Sequence, residues 1–154
     1  MIKVHTGQKF YIGNALFEVL YTHEDLYPEM IGYTNDSSIV FMLTLGGKKF
    51  LLTADMEGAA ARQLNGQCAS YLKCDYIQIM HHGWPGAKSD QITFNCIQYN
   101  NTYDLADAGY ALWTVQLSRV QQIGSGRQML YVKKKFAADK ILSTENGNIV
   151  ITFG

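Results

Sequence analysis

The sequence is poor in proline, cysteine and charge, and each shortage excludes something. Two prolines in 154 residues, against ten Tyr and seven Phe, leave no Pro-rich linker and favour a strand-rich fold. The three cysteines, Cys68, Cys74 and Cys96, form no C-x-x-C pair, which excludes a zinc ribbon or a thioredoxin-type motif. They read as small buried hydrophobes in a reducing compartment. Charged residues make up only 17%, with 13 Lys+Arg against 13 Asp+Glu. That balance excludes a strongly basic nucleic-acid footprint and an acidic tail. No apolar run approaches the ~18 residues needed to span a bilayer. Met1-Ile2-Lys3-Val4-His5 lacks the apolar core of a signal peptide, so the expectation is a cytoplasmic location or one the sequence leaves open.

What is present is enough for one globular domain over residues 1–154, with 47% hydrophobic residues and no repeat. The first half reads as hairpins. Lys9–Gly13 and Ala15–Tyr21 flank Gly13-Asn14, and Ser38–Leu45 and Lys48–Ala54 flank Gly46-Gly47. The second pair is continuously apolar, which predicts cover on both faces. A helix is expected from Glu57 to Asn65 with Gly66 as its stop, then a strand over Tyr76–Met80. Ser89 reads as the cap of a helix to about Asn100, with Ile92, Cys96 and Ile97 inward. Tyr110–Val115 is a strand, and Gly126–Lys135 a helix capped by Ser125, with Lys133-Lys134-Lys135 as its solvated end. Lys140–Ser143 and Asn148–Phe153 close the chain as a hairpin. The order predicts a layered α/β or α+β domain with a mixed sheet and about three helices.

Two polar residues share one place in this architecture. Asp55 ends the apolar run Phe50–Ala54, and His81 ends Tyr76–Met80, with His82 beside it. In layered α/β sheets reacting groups gather beyond the carboxyl ends of strands. A carboxylate and an imidazole delivered there suit a zinc or manganese centre. Two blander readings stand beside this one. Asp after a strand is a common helix N-cap, and a His pair is ordinary in a surface loop.

The order of three stretches adds a resemblance. They are Asn35-Asp36-Ser37-Ser38-Ile39-Val40, then Gly47–Asp55 ending Leu51-Leu52-Thr53-Ala54-Asp55, then Leu72–Gly83 ending His81-His82-Gly83. Together they resemble the metallo-β-lactamase fold, most closely the hydrolase-like domain of ComEC-type DNA-uptake competence proteins. Ala111–Val115 and Lys140–Ile151 resemble the strand and closing hairpin that follow in that family. The resemblance covers the C-terminal half of an αββα sandwich. It implies Asp55 as the metal-bridging carboxylate, His81 as the strand-ending ligand, and His82 as an alternative or supporting one. The family's H-x-H-x-D-H motif supplies most ligands, and His5, His23, His81 and His82 cannot form it. Other departures are Ala54 for the family's Gly, Trp84 for its Ser after H-H-G, and Gln116-Leu117-Ser118-Arg119 where it has an Asn and a Gly-His-Pro stretch.

A complete relative uses the metal to activate water for attack on a phosphodiester or similar ester. For this chain the resemblance implies an incomplete hydrolase, not catalytic alone, with Zn or Mn held weakly or not at all. The alternatives are an enzyme completed by a second chain and a binding or scaffold module whose Trp84 fills the old cleft. The partner expected on the open sheet face is a second copy or the missing N-terminal half. Nucleic acid as a partner rests on the resemblance alone, and no membrane segment is expected.

Overall fold

A computed structural model describes residues 3–23, 34–114 and 126–153. Seven strands form one sheet in sequential order: β1 (Lys9–Ile12), β2 (Ala15–Tyr21), β3 (Val40–Leu45), β4 (Lys48–Leu52), β5 (Tyr76–Gln78), β6 (Tyr110–Trp113) and β7 (Ile141–Ser143). β1 to β4 pair antiparallel, whereas β4 to β7 pair parallel. The change of direction follows from the connections. Tight turns at Gly13 (φ +57°) and Gly46-Gly47 (φ +58° and +73°) close the hairpins. Each parallel step instead takes a helical crossover, as parallel neighbours require: α1 (Gly58–Cys68), α2 (Ser89–Ala106) and α3 (Gly126–Lys135). The mixed sheet and the three α-helices among the described residues make this an α+β domain. Among the described residues no helix is long and apolar enough to cross a membrane.

Period-two alternation places the core on one face of the sheet. Val40, Met42, Leu51, Ile77, Ile79, Ala111 and Trp113 point to the helices and meet Ala60, Leu64, Tyr99, Tyr103, Met129 and Val132. The opposite residues make an aromatic row. Phe10 stacks on Phe17, and Phe50, Tyr76 and Tyr110 stack in series across three strands. Among the described residues the helices therefore cover one face, not two. The other is crossed by the C-terminal segment, whose Phe153 meets Phe50 edge-on and sits where a Cβ on Gly46 would be.

Several boundaries differ from the sequence reading. The closing hairpin does not form: Ile141–Ser143 adds parallel to β6, Thr144–Asn146 is a 3-10 turn started by the Ser143 hydroxyl, and 148–153 joins no strand. Gly66 does not stop α1, which runs to Cys68 and ends at Ala69 in a left-handed conformation (φ 39°). β5 ends at Gln78, and Met80–Gly83 is a 3-10 turn. α2 runs on to Ala106 with Ser89 as its first residue, and Ile97 is exposed while Cys96, Tyr99 and Tyr103 face inward. Val115, Ser125 and 116–119 lie outside the described residues. The Lys run ends α3 as expected, with Lys135 reaching Asp104 at 2.8 Å. The cysteines are free, and burial pushes the Cys74 thiol up to about 12.

One buried charge ties the sheet edge to the turn after α1. Burial works to raise the Glu18 carboxyl, but hydrogen bonds from Lys9 and Tyr71 (2.7 Å) prevail and hold it below its usual range. The folded state thus binds the proton less readily than the unfolded chain. Its contribution is complete above the unfolded carboxylate pKa and is lost as pH falls through the folded value. Glu18→Gln should flatten the loss of urea stability between neutral and mildly acidic pH, measured as a pH series of midpoints.

Candidate functional site

The site forms beyond the carboxyl ends of β4, β5 and β6. Gln78 replaces the ladder where β4 ends. Its side-chain oxygen accepts from the backbone N–H groups of Thr53 and Ala54, both at 3.1 Å, and its carbonyl accepts from the Thr53 hydroxyl. Ala54 then turns left-handed (φ 51°), and its carbonyl accepts from the His81 N–H at 3.1 Å. That turn releases Asp55 toward solvent. The helix-cap reading of Asp55 fails: Asp36, from the 3-10 turn Thr34–Ser37, takes the first turn of α1 by accepting from Ala60 N–H at 3.4 Å. Desolvation pushes the buried Asp36 carboxyl up.

Ala54 is where the resembled family carries glycine, and its φ gives a physical reason. A left-handed L-residue costs roughly 1–2 kcal/mol, partly offset because glycine frees the unfolded chain. Ala54→Gly should raise stability by about 0.5–1 kcal/mol, read as a higher urea midpoint at unchanged slope.

His81 and His82 are both left-handed (φ 45° and 54°). Successive non-glycine residues in this region are strained and need holding. Trp84 N–H donates to the His81 carbonyl at 2.7 Å, and the Trp113 indole N–H donates to the His82 carbonyl at 2.7 Å. Met80 N–H donates to the Tyr103 hydroxyl at 3.2 Å.

The strain aims the two rings apart. His81 is buried, with the Trp84 ring packed on it at 5.1 Å. Its Nε2 lies 3.1 Å from Asn35 Nδ2, and its Nδ1 is buried without a hydrogen-bond partner among the described residues. Burial holds the His81 imidazole below its ordinary pKa, against the pull of Asp55 and Glu57. His82 points outward. Its Nε2 lies 3.2 Å from Asp55 Oδ1, and its Nδ1 lies 3.1 Å from the Thr114 hydroxyl.

Asp55, His81 and His82 are thus neighbours, as the sequence suggested. Sequence reasoning missed Asn35, Thr114 and Glu57. Glu57 is a buried carboxylate that accepts from Gln91 (2.7 Å), Asn35 (3.4 Å) and Asn95 (3.5 Å), beside a cavity of about 300 Å³ lined by Gly58, Gln91 and Phe94. Asn35 opened the first resembling stretch, and Glu57 stood two residues past Asp55, so both were within reach of notice. Thr114 carried no signal.

These residues do not fit a complete metal centre. Among the described residues no three His, Cys, Asp or Glu side chains converge on one point. A catalytic zinc takes about three protein ligands and a structural one four. His5 is exposed ahead of β1, and His23, buried two residues past β2, lies near Asp36. The chain matches no family model and no curated protein.

Proposed function

We propose that this chain is a metallo-β-lactamase-fold, hydrolase-like protein that is not catalytic alone. The observation that carries the reading is the placement of Asp55, His81 and His82. They lie in strained turns beyond adjacent parallel strands, where no helix cap requires an acid. Strain held at such a place favours a functional origin over packing. Among the described residues no three ligand groups converge on one point, which favours an incomplete centre, with Zn or Mn bound weakly or not at all. A full centre would need donors from a second copy or from an N-terminal half. Such a partner would also cover the aromatic row, with the class of substrate a phosphodiester or similar ester. A binding module that keeps this frame is the second reading, favoured by Trp84 packed on His81.

The purified chain, supplied with Zn²⁺ or Mn²⁺, should not hydrolyse bis(p-nitrophenyl) phosphate. Turnover that Asp55→Ala abolishes would overturn the reading. Light scattering tests the partner: Phe41 meets Phe10 and Phe17 edge-on in the aromatic row, so association that Phe41→Glu disrupts supports a second copy.

A further inference from the structure

The two imidazoles differ in what they have left to offer, and hydrogen-bond chemistry assigns each proton. An ionised carboxylate only accepts, so the 3.2 Å contact with Asp55 Oδ1 requires a proton on His82 Nε2. Neutral His82 therefore has its lone pair on Nδ1, where the Thr114 hydroxyl donates at 3.1 Å. Asn35 is oriented by Glu57: its amide nitrogen donates to Glu57 Oε1 at 3.4 Å, so the same nitrogen donates to His81 Nε2 at 3.1 Å. Neutral His81 then carries its proton on Nδ1, the buried atom without a partner among the described residues. Both imidazole lone pairs are engaged, and Asp55 Oδ1 accepts from His82, which leaves one carboxylate as the sole ligand, short of the three that a catalytic zinc takes. A metal ligand must offer a lone pair, as neutral imidazole or carboxylate.

We propose that the cluster is closed to metal in this chain. The latch Thr114–His82–Asp55 takes the place of a cation at the Asp55 carboxylate. It joins the ends of β6, β5 and β4, so Thr114 is a positioning residue that acts through His82. The Trp113 indole fixes the backbone of the same turn, next to Thr114 in sequence. What the cluster leaves unpaired among the described residues is a single donor, the buried His81 Nδ1–H. This rests on the function proposed above, and under that reading the chain is not catalytic alone because its site is closed, not merely short of ligands.

Imidazole ¹⁵N NMR of the whole chain, above pH about 8 where histidine is neutral, tests this directly. The expected signature is His82 as the Nε2–H tautomer and His81 as the Nδ1–H tautomer. Zn²⁺ added in excess should leave both unchanged. Thr114→Val should shift His82 toward a mixture of tautomers while His81 stays put, and Thr114→Ser should restore it. The proposal falls if His82 is Nδ1–H or mixed in the native chain. It also falls if Thr114→Val moves nothing, or if Zn²⁺ saturably displaces the His82 Nε2–H signal. Failure here with no hydrolysis leaves the incomplete-hydrolase reading standing; turnover by the chain alone sinks that reading whatever the tautomers are.

Discussion

Trp113→Ala should lower stability by about 3–5 kcal/mol, the range for truncating a large buried aromatic. Domains hold only about 5–15 kcal/mol in total, so a large share of the margin goes. Trp113 is fully buried among the core residues at the end of β6. Its ring fills the space under the Met80–Gly83 turn, and its indole N–H is the donor to the His82 carbonyl. Both the cavity and the orphaned carbonyl therefore fall on the strained segment. Urea unfolding followed by fluorescence of the remaining Trp84 measures the loss, since Trp84 lies against His81 and reports on the same turn. Trp113→Phe separates the two terms: it keeps most of the volume, and its smaller cost of about 1–3 kcal/mol is that of the unpaired acceptor. A Trp113→Ala midpoint within error of wild type would show that this ring does not support the turn.

Gly83→Ala should cost about 2–4 kcal/mol, from a left-handed side chain and an overpacked contact together. Gly83 has φ +85°, and a Cβ there would stand 2.7 Å from Trp113 Cζ2. Two consequences distinguish this from a generic glycine effect. In the Trp113→Ala background the contact is gone, so the double variant should cost clearly less than the sum of the singles. The His82 imidazole signals should also move in Gly83→Ala, because the turn that aims the ring must shift. Additive costs in the double variant would place the penalty in the backbone alone.

The first two hairpins and the helices α1 to α3 were legible because glycine turns and apolar periodicity are local signals. Asp55, His81 and His82 were legible as the first polar residues past apolar runs. What was not legible depended on distant partners. Gly66 reads as a helix stop, but the left-handed residue falls at Ala69. Asn148–Phe153 has the composition of a strand, yet it takes no ladder position, because β7 pairs with β6 and the segment instead passes over the aromatic row. Asp36 displaced Asp55 as the capping acid from a turn more than twenty residues upstream of α1. Thr114 was invisible because its role is set by an imidazole thirty-two positions away.

The switch from antiparallel to parallel pairing at β4 also sets an order of assembly. Two residues close each of the β1–β2 and β3–β4 hairpins, whereas 23, 31 and 27 residues separate β4 from β5, β5 from β6 and β6 from β7. Short closures are made early, and long parallel crossovers are made late. Asp55, His82 and Thr114 all follow strands of the parallel half, so their contacts belong to the final stage of folding. Variants of the latch should therefore accelerate unfolding and leave the refolding rate almost untouched, the behaviour of contacts absent from the transition state. The chain can thus vary its cluster without impairing its ability to fold in the first place.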